Sequence, residues 1–175
     1  TLHQVAKDGG HHCCGRTFLA AGMVDAAKAK LGALIDALLP LASAGVAIVG
    51  LEPSCLLTLR DEALALGLGE KAHTVAQNAL LFEEFVARET QAGRFAPEFK
   101  PAAQPILVHG HCHQKAFDAV SPILEVLRLV PGAKPALIES SCCGMAGSFG
   151  YEAEHHSVSM QMAELSLLPA VRAAP

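Results

Sequence analysis

Six cysteines carry most of the chemistry open to this chain, and four of them stand in adjacent pairs. Cys13-Cys14 and Cys142-Cys143 are each followed by a glycine, Gly15 and Gly144. Neighbouring thiols close a disulfide badly, because the geometry of the S–S bond does not suit adjacent residues. In a turn they offer two soft ligands at one point, and thiolate sulfur is the donor preferred by iron–sulfur clusters and zinc. Cys55 and Cys112 stand alone, each a few residues beyond a short apolar run. Structural zinc sites usually show C-x₂₋₄-C spacing. No such spacing occurs here, which disfavours a zinc ribbon and leaves open a zinc site assembled in space.

The neighbours of the cysteines extend the candidate site. Gly144, Gly147 and Gly150 allow backbone N–H groups to approach a sulfur or an anion closely. A phosphate loop is the alternative, but the spacing matches neither the dinucleotide fingerprint nor the Walker pattern. His109, His111 and His113 alternate around Cys112. An imidazole there could ligate metal, donate an N–H to a cluster sulfur, or cap the following helix. For His109 and His113 the capping or hydrogen-bonding role is favoured; His111 is also kept as a candidate ligand. His11 and His12 stand beside Cys13 in the same way, and His155 and His156 read as ordinary surface or packing residues. No serine-centred triad or carboxylate pair stands out.

The elements that would position these residues alternate. Residues 1–12 read as a loop. Val24, Ala27, Leu31, Leu34, Ile35 and Leu38 fall at helical spacing, and Pro40 with Ser43-Ala44-Gly45 ends that helix. Val46–Val49 suits a fully buried parallel strand. Helices are expected over 56–66, 75–89 and 114–130, with Pro122 splitting or starting the main part of the last. Strands are expected over 106–108 and 136–139, and a final helix over 152–167. Strand, cysteine loop and helix thus follow one another repeatedly, the order of a parallel sheet with helices packed on it. In such sheets ligands gather beyond the carboxyl ends of the strands, where Cys55, Cys112, Cys142 and Cys143 would lie.

The two Cys-Cys-Gly sequences also suggest a broken internal repeat. At their offset, the counterpart of Cys55 would fall past Pro175 and that of Cys112 before Thr1. The expected fold class is therefore α/β, with two tandem pseudo-repeated lobes of short parallel strands and flanking helices, each lobe truncated. The first lobe covers residues 1–95 and the second 105–175. A linker over 93–105 contains Pro97, Pro101 and Pro105. The chain reads as a piece of a longer protein.

Composition bounds the function. Apolar residues are 51% of the 175 and charged ones 17%, below the ~25% charged of an average domain. With a mean hydropathy of +0.35, some apolar surface is expected to meet another domain or subunit. A net charge of −4 gives no electrostatic case for nucleic acid or an acidic membrane surface. The most apolar window, 34–51, contains Asp36, Pro40, Ser43 and Gly45 and reads as helix, turn and strand rather than a membrane span. Vicinal cysteines fit a reducing compartment better than a secreted disulfide scaffold, so cytoplasm is expected.

Three further stretches carry a family resemblance: Glu52-Pro53-Ser54-Cys55, His111-Cys112-His113-Gln114-Lys115-Ala116, and Ser141 to Tyr151 with its Cys142-Cys143-Gly144. Together with Cys13-Cys14-Gly15 they resemble the CCG cysteine-rich domains of iron–sulfur oxidoreductases. These include the heterodisulfide reductase B subunit and the iron–sulfur subunits of glycolate oxidase and anaerobic glycerol-3-phosphate dehydrogenase. The motifs are most similar to the C-terminal region of FAD-linked oxidases of the D-lactate and D-2-hydroxyglutarate dehydrogenase kind. The family's opening strand and cysteine in the first lobe, and its closing strand and cysteine loop in the second, are not matched.

The resemblance implies an iron–sulfur cluster of the 4Fe-4S type held by Cys13, Cys14, Cys55, Cys112, Cys142 and Cys143. His111, His113, Gly144 and Gly147 would be ligands or supports. It further implies FAD in another domain or subunit, a 2-hydroxy acid as reductant, and an acceptor such as a quinone. A cytoplasmic enzyme peripheral to the inner membrane would result, in which this stretch alone is not catalytic. Two other functions stand beside it: a cluster-dependent thiol/disulfide reductase subunit, and a zinc-bound or metal-free interaction domain.

Overall fold

In a computed structural model of the 175-residue chain, Val5 and residues 11–102 and 105–174 are described. Most of the loop expected over 1–12, and residues 103 and 104 of the expected linker, lie outside them. The chain divides into two compact units, Thr1–Arg88 and Glu89–Pro175. Each holds helices and one pair of parallel strands, an α/β arrangement.

The first unit opens with helices α1 (Arg16–Ala20) and α2 (Val24–Ser43). The apolar stripe of α2 buries Ala27, Leu31, Ile35, Leu38 and Ala42, while Val24 at its start is exposed. Removing a Leu or Ile side chain from water stabilises a fold by ~1.5–3 kcal/mol, so this stripe is a principal support of the unit. Strand β1 (Ile48–Gly50) leads into α3 (Pro53–Arg60). Then come α4 (Glu62–Ala65), α5 (Glu70–Asn78), β2 (Ala79–Leu81) and α6 (Phe82–Gln91). The strands pair in parallel register from Ile48↔Ala79 to Gly50↔Leu81. Leu57, Thr58, Val75 and Leu81 are fully buried with Leu31 and Ile35.

The single helix expected over 75–89 is thus interrupted by β2. Ala79-Leu80-Leu81 has ordinary helix formers and no turn residue, but its backbone is taken up by β1. Glu84 secures the change of direction. Its carboxylate accepts from Leu81 N at 2.8 Å and from Arg60 at 2.8 and 2.9 Å.

The second unit holds β3 (Ile106–Val108), α7 (Cys112–Ala116), α8 (Ser121–Leu127) and β4 (Pro135–Leu137). Two 3₁₀ turns, Phe149–Tyr151 and Ala153–His155, precede α9 (His156–Glu164) and α10 (Leu167–Arg172). β3 and β4 are parallel, from Ile106↔Pro135 to Val108↔Leu137, and Ile138 N extends the ladder to Val108 O at 2.8 Å. The helix expected over 114–130 is two helices, parted where Asp118 takes φ 53°. The strands are less enclosed than expected, because a two-stranded sheet has few neighbours to cover both faces: Val49 and Leu107 are each 39% exposed. Among the described residues, no helix is long and apolar enough to cross a membrane.

Candidate metal centre

Both cysteine pairs sit in turns made possible by the glycine that follows. Gly15 takes φ 80° and Gly144 φ 89°, a left-handed conformation costing other residues ~1–3 kcal/mol. Space forbids a side chain as well. A Cβ on Gly15 would stand 2.7 Å from the Ala27 carbonyl oxygen of α2. On Gly144 it would stand 2.1 Å from the Ser159 carbonyl oxygen of α9. In each turn the glycine N–H donates to the sulfur two residues back, Gly15 to Cys13 Sγ at 3.4 Å and Gly144 to Cys142 Sγ at 3.3 Å. A backbone N–H so placed is a donor of the kind that hydrogen-bonds the sulfurs of a metal group.

The three glycines after Cys143 divide their work. Gly150, like Gly144, is pressed on Ser159, whose Oγ would lie 2.9 Å from an added Cβ. Gly147 has φ 69° and nothing near its missing side chain, so it serves an exposed turn.

The isolated cysteines occupy the first turns of helices that follow strands. Glu52 caps α3, its Oε2 accepting from Cys55 N at 2.5 Å, and Pro53 fills the position where no N–H is needed. The Cys55 and Cys14 sulfurs are 3.1 Å apart. Partial burial, then the Cys14 sulfur and the Glu52 carboxylate, push the Cys55 thiol far above its ordinary pKa. A metal ion would have to displace that proton, so binding here releases one.

Cys112 is the first residue of α7, and His111 is its cap. His111 Nδ1 accepts from His113 N at 3.2 Å while Gln114 Oε1 accepts from His111 N at 3.3 Å, a reciprocal box. The two imidazoles stack with centroids 5.5 Å apart. Capping thus falls to His111, the histidine whose position in the sequence also makes it a candidate ligand.

Two residues tie α7 and the end of β3 to the second cysteine turn: Lys115, to which sequence reasoning gives no role in the site, and His109, for which it favours a capping or hydrogen-bonding role. Lys115, one helical turn after Cys112, donates from Nζ to Ser140 O at 2.6 Å and Ser141 O at 3.0 Å, the two carbonyls before Cys142. His109 Nδ1 lies 2.7 Å from Ser140 Oγ. Burial first, then the Lys115 and His111 charges, hold the His109 pKa below its ordinary value. The available signal for Lys115 is its helical spacing from Cys112.

All six cysteines are free thiols. Tetrahedral zinc with Zn–S bonds of ~2.3 Å would hold two sulfurs ~3.8 Å apart, wider than the Cys14–Cys55 contact. Among the described residues no three cysteine sulfurs lie within 4.8 Å of one another. Glu152, Glu154 and His155 do bring ligand atoms within that distance. There both glutamates are exposed, His155 Nδ1 lies 2.9 Å from a Glu152 carboxylate oxygen without a hydrogen bond, and its ring stacks on Phe149 with centroids 4.1 Å apart. The thiol set, the N–H groups on sulfur and the glycine approaches fit a thiolate-held metal group at the two cysteine turns.

The class defined by this geometry is an α/β chain with paired-cysteine turns beside parallel strands. No family model matches it, and no solved structure does. It is similar to the C subunit of the anaerobic glycerol-3-phosphate dehydrogenase of Escherichia coli (strain K12), with 26% identity over 149 residues, 84% of this chain and 37% of that protein. Its counterpart in Escherichia coli O157:H7 matches to the same extent. The chain is also similar to the D-2-hydroxyglutarate dehydrogenase of Escherichia coli (strain K12), with 31% identity over 141 residues, 80% of this chain and 13% of that protein. It therefore spans well under half the length of the curated relatives it matches.

Proposed function

We propose that the chain is the iron–sulfur electron-transfer portion of a larger flavin-linked oxidoreductase acting on a 2-hydroxy acid. The observation that carries this reading is the shared construction of the two cysteine turns. Each has a left-handed glycine pressed on a helix backbone and donating its N–H to the first sulfur. Similarity to two dehydrogenases supports the redox class. In this reading residues 1–95 and 105–175 are related lobes. Cys13, Cys14 and Cys55 serve one site, and Cys112, Cys142 and Cys143 the other.

A bound cluster, of the 4Fe-4S type in this proposal, supplies one-electron transfer. The chain's own residues present the thiols, donate N–H groups to them and fix the turns. Lys115 and His109 hold the second turn against α7 and β3. The electron donor is a flavin domain or subunit and the acceptor a quinone or similar carrier, with the enzyme in the cytoplasm or peripheral to the inner membrane.

Anaerobic purification of the whole polypeptide that carries these residues, followed by iron, acid-labile sulfide and EPR measurements, tests the reading. Iron and sulfide that fall together in Cys14→Ser and Cys142→Ser variants are expected. Absence of iron from the whole polypeptide sinks the proposal, and stoichiometric zinc without sulfide would favour a zinc-bound interaction domain.

A further inference from the structure

We propose that Cys14 and Cys55 form an oxidation site: with no metal on them they close to a disulfide, so metal and disulfide exclude one another. The exclusion rests on the metal reading above; the bond itself rests on the geometry of the thiols. Their sulfurs are 3.1 Å apart, and a disulfide needs ~2.05 Å. The remaining approach is ~1 Å. Both residues are on supported ground. Cys14 is buried, and the turn of α3 bearing Cys55 is seated by Leu56, Leu57 and Leu59, all buried.

Selectivity follows from the alternatives. Cys13 is adjacent to Cys14, so their disulfide would be strained, and the Cys13 sulfur is already engaged by Gly15 N–H. In the second unit no sulfur–sulfur contact joins Cys112 to Cys142 or Cys143 among the described residues. Access is asymmetric in a useful way: Cys55 is exposed and Cys14 buried.

A low-molecular-weight disulfide is the oxidant. The Cys55 sulfur attacks it, forming a mixed disulfide and releasing one small thiol. The Cys14 sulfur then displaces the second small thiol, leaving the Cys14–Cys55 bond. Two protein thiols are oxidised, one small disulfide is reduced, and the two protons leave on the released thiols. The raised pKa of Cys55 slows entry and does not alter the product.

The test uses the whole polypeptide, isolated anaerobically, stripped of metal with a chelator, titrated with glutathione disulfide, alkylated and mapped by mass spectrometry. The Cys14–Cys55 cross-link is expected to exceed any other pairing by about tenfold or more, since strain disfavours the vicinal alternative. Cys13→Ser keeps the cross-link and Cys55→Ser abolishes it. The oxidised chain takes up iron or zinc at this site only after reduction. A dominant Cys13–Cys14 bond, another pairing, or a lasting mixed disulfide on Cys55 overturns the proposal. Iron in the untreated polypeptide, with no Cys14–Cys55 bond after stripping, sinks the disulfide alone. No iron at all, with the bond still forming, sinks the electron-transfer reading alone.

Discussion

Around Cys13-Cys14 the support is mainly apolar, with an ion pair between Arg16 and Glu62 beside it, whereas around Cys142-Cys143 it is mainly polar. In the first unit, Cys14 and Gly15 lie under α2, whose buried stripe joins Leu57, Val75 and Leu81 in an aliphatic core. In the second, the buried apolar side chains are Val108, Ala119, Val120, Ile138 and Ala163, mostly small. The cysteine turn there depends on Lys115, the His109–Ser140 contact and the Ser159 backbone. One backbone solution is therefore stabilised in two physically different ways. Hydrophobic support carries no titrating group, whereas hydrogen bonds to a charged group and to a histidine respond to pH.

The strongest way to break the comparison is Gly144→Ala. A Cβ in the Ser159 carbonyl and a left-handed alanine together should cost about 4 kcal/mol, read in denaturant melts of the metal-free chain. Gly15→Ala should cost somewhat less, its Cβ standing 2.7 rather than 2.1 Å from the facing carbonyl oxygen. Equal stability of wild type and Gly144→Ala would remove the glycine from the site. Next in size, Leu31→Ala should destabilise the first unit by about 3 kcal/mol and speed alkylation of Cys14, leaving Cys142 and Cys143 at wild-type rates. Parallel acceleration of all four would show that the two supports are not separate.

Lys115→Met should produce the mirror image at about 1–2 kcal/mol, the loss of charge-assisted bonds to two carbonyls. Hydrogen exchange over 140–144 and alkylation of Cys142 should rise with Cys13 unchanged, and Lys115→Arg should restore part of the protection. The smallest effect is in pH. Because the folded pKa of His109 is lowered, the unfolded chain binds its proton first. Stability should be unaffected above the unfolded value of ~6.5 and fall as pH drops through the interval between the unfolded and folded pKa values. His109→Gln should flatten that fall in paired melts; an unchanged slope would assign it to other groups.

Much of this is legible in sequence because it is local. The strand at 106–108 declares itself by a short apolar run, and the Cys-Cys-Gly turns by a residue that only glycine can be. β2 is not legible: Ala79-Leu80-Leu81 has no strand signature, and only pairing with β1 makes it one. The partition among Gly144, Gly147 and Gly150 is equally hidden, because Ser159 decides it from another element. The reach of Lys115 to residues 140 and 141 is a contact across the fold that helical spacing cannot forecast.

The parallel pairing also sets an order in time. A parallel pair cannot close until the whole crossover between its strands has been made and folded back. Cys55 lies on the crossover from β1 to β2, and Cys112 on the one from β3 to β4. The helices bearing these two cysteines are local in sequence, while the sheets beside them close only over the whole crossover. In the second unit the paired cysteines follow β4, so Cys112, Cys142 and Cys143 exist together only after β4 has been synthesised. During synthesis, then, Cys13, Cys14 and Cys55 are all present before Cys142 and Cys143 have been made.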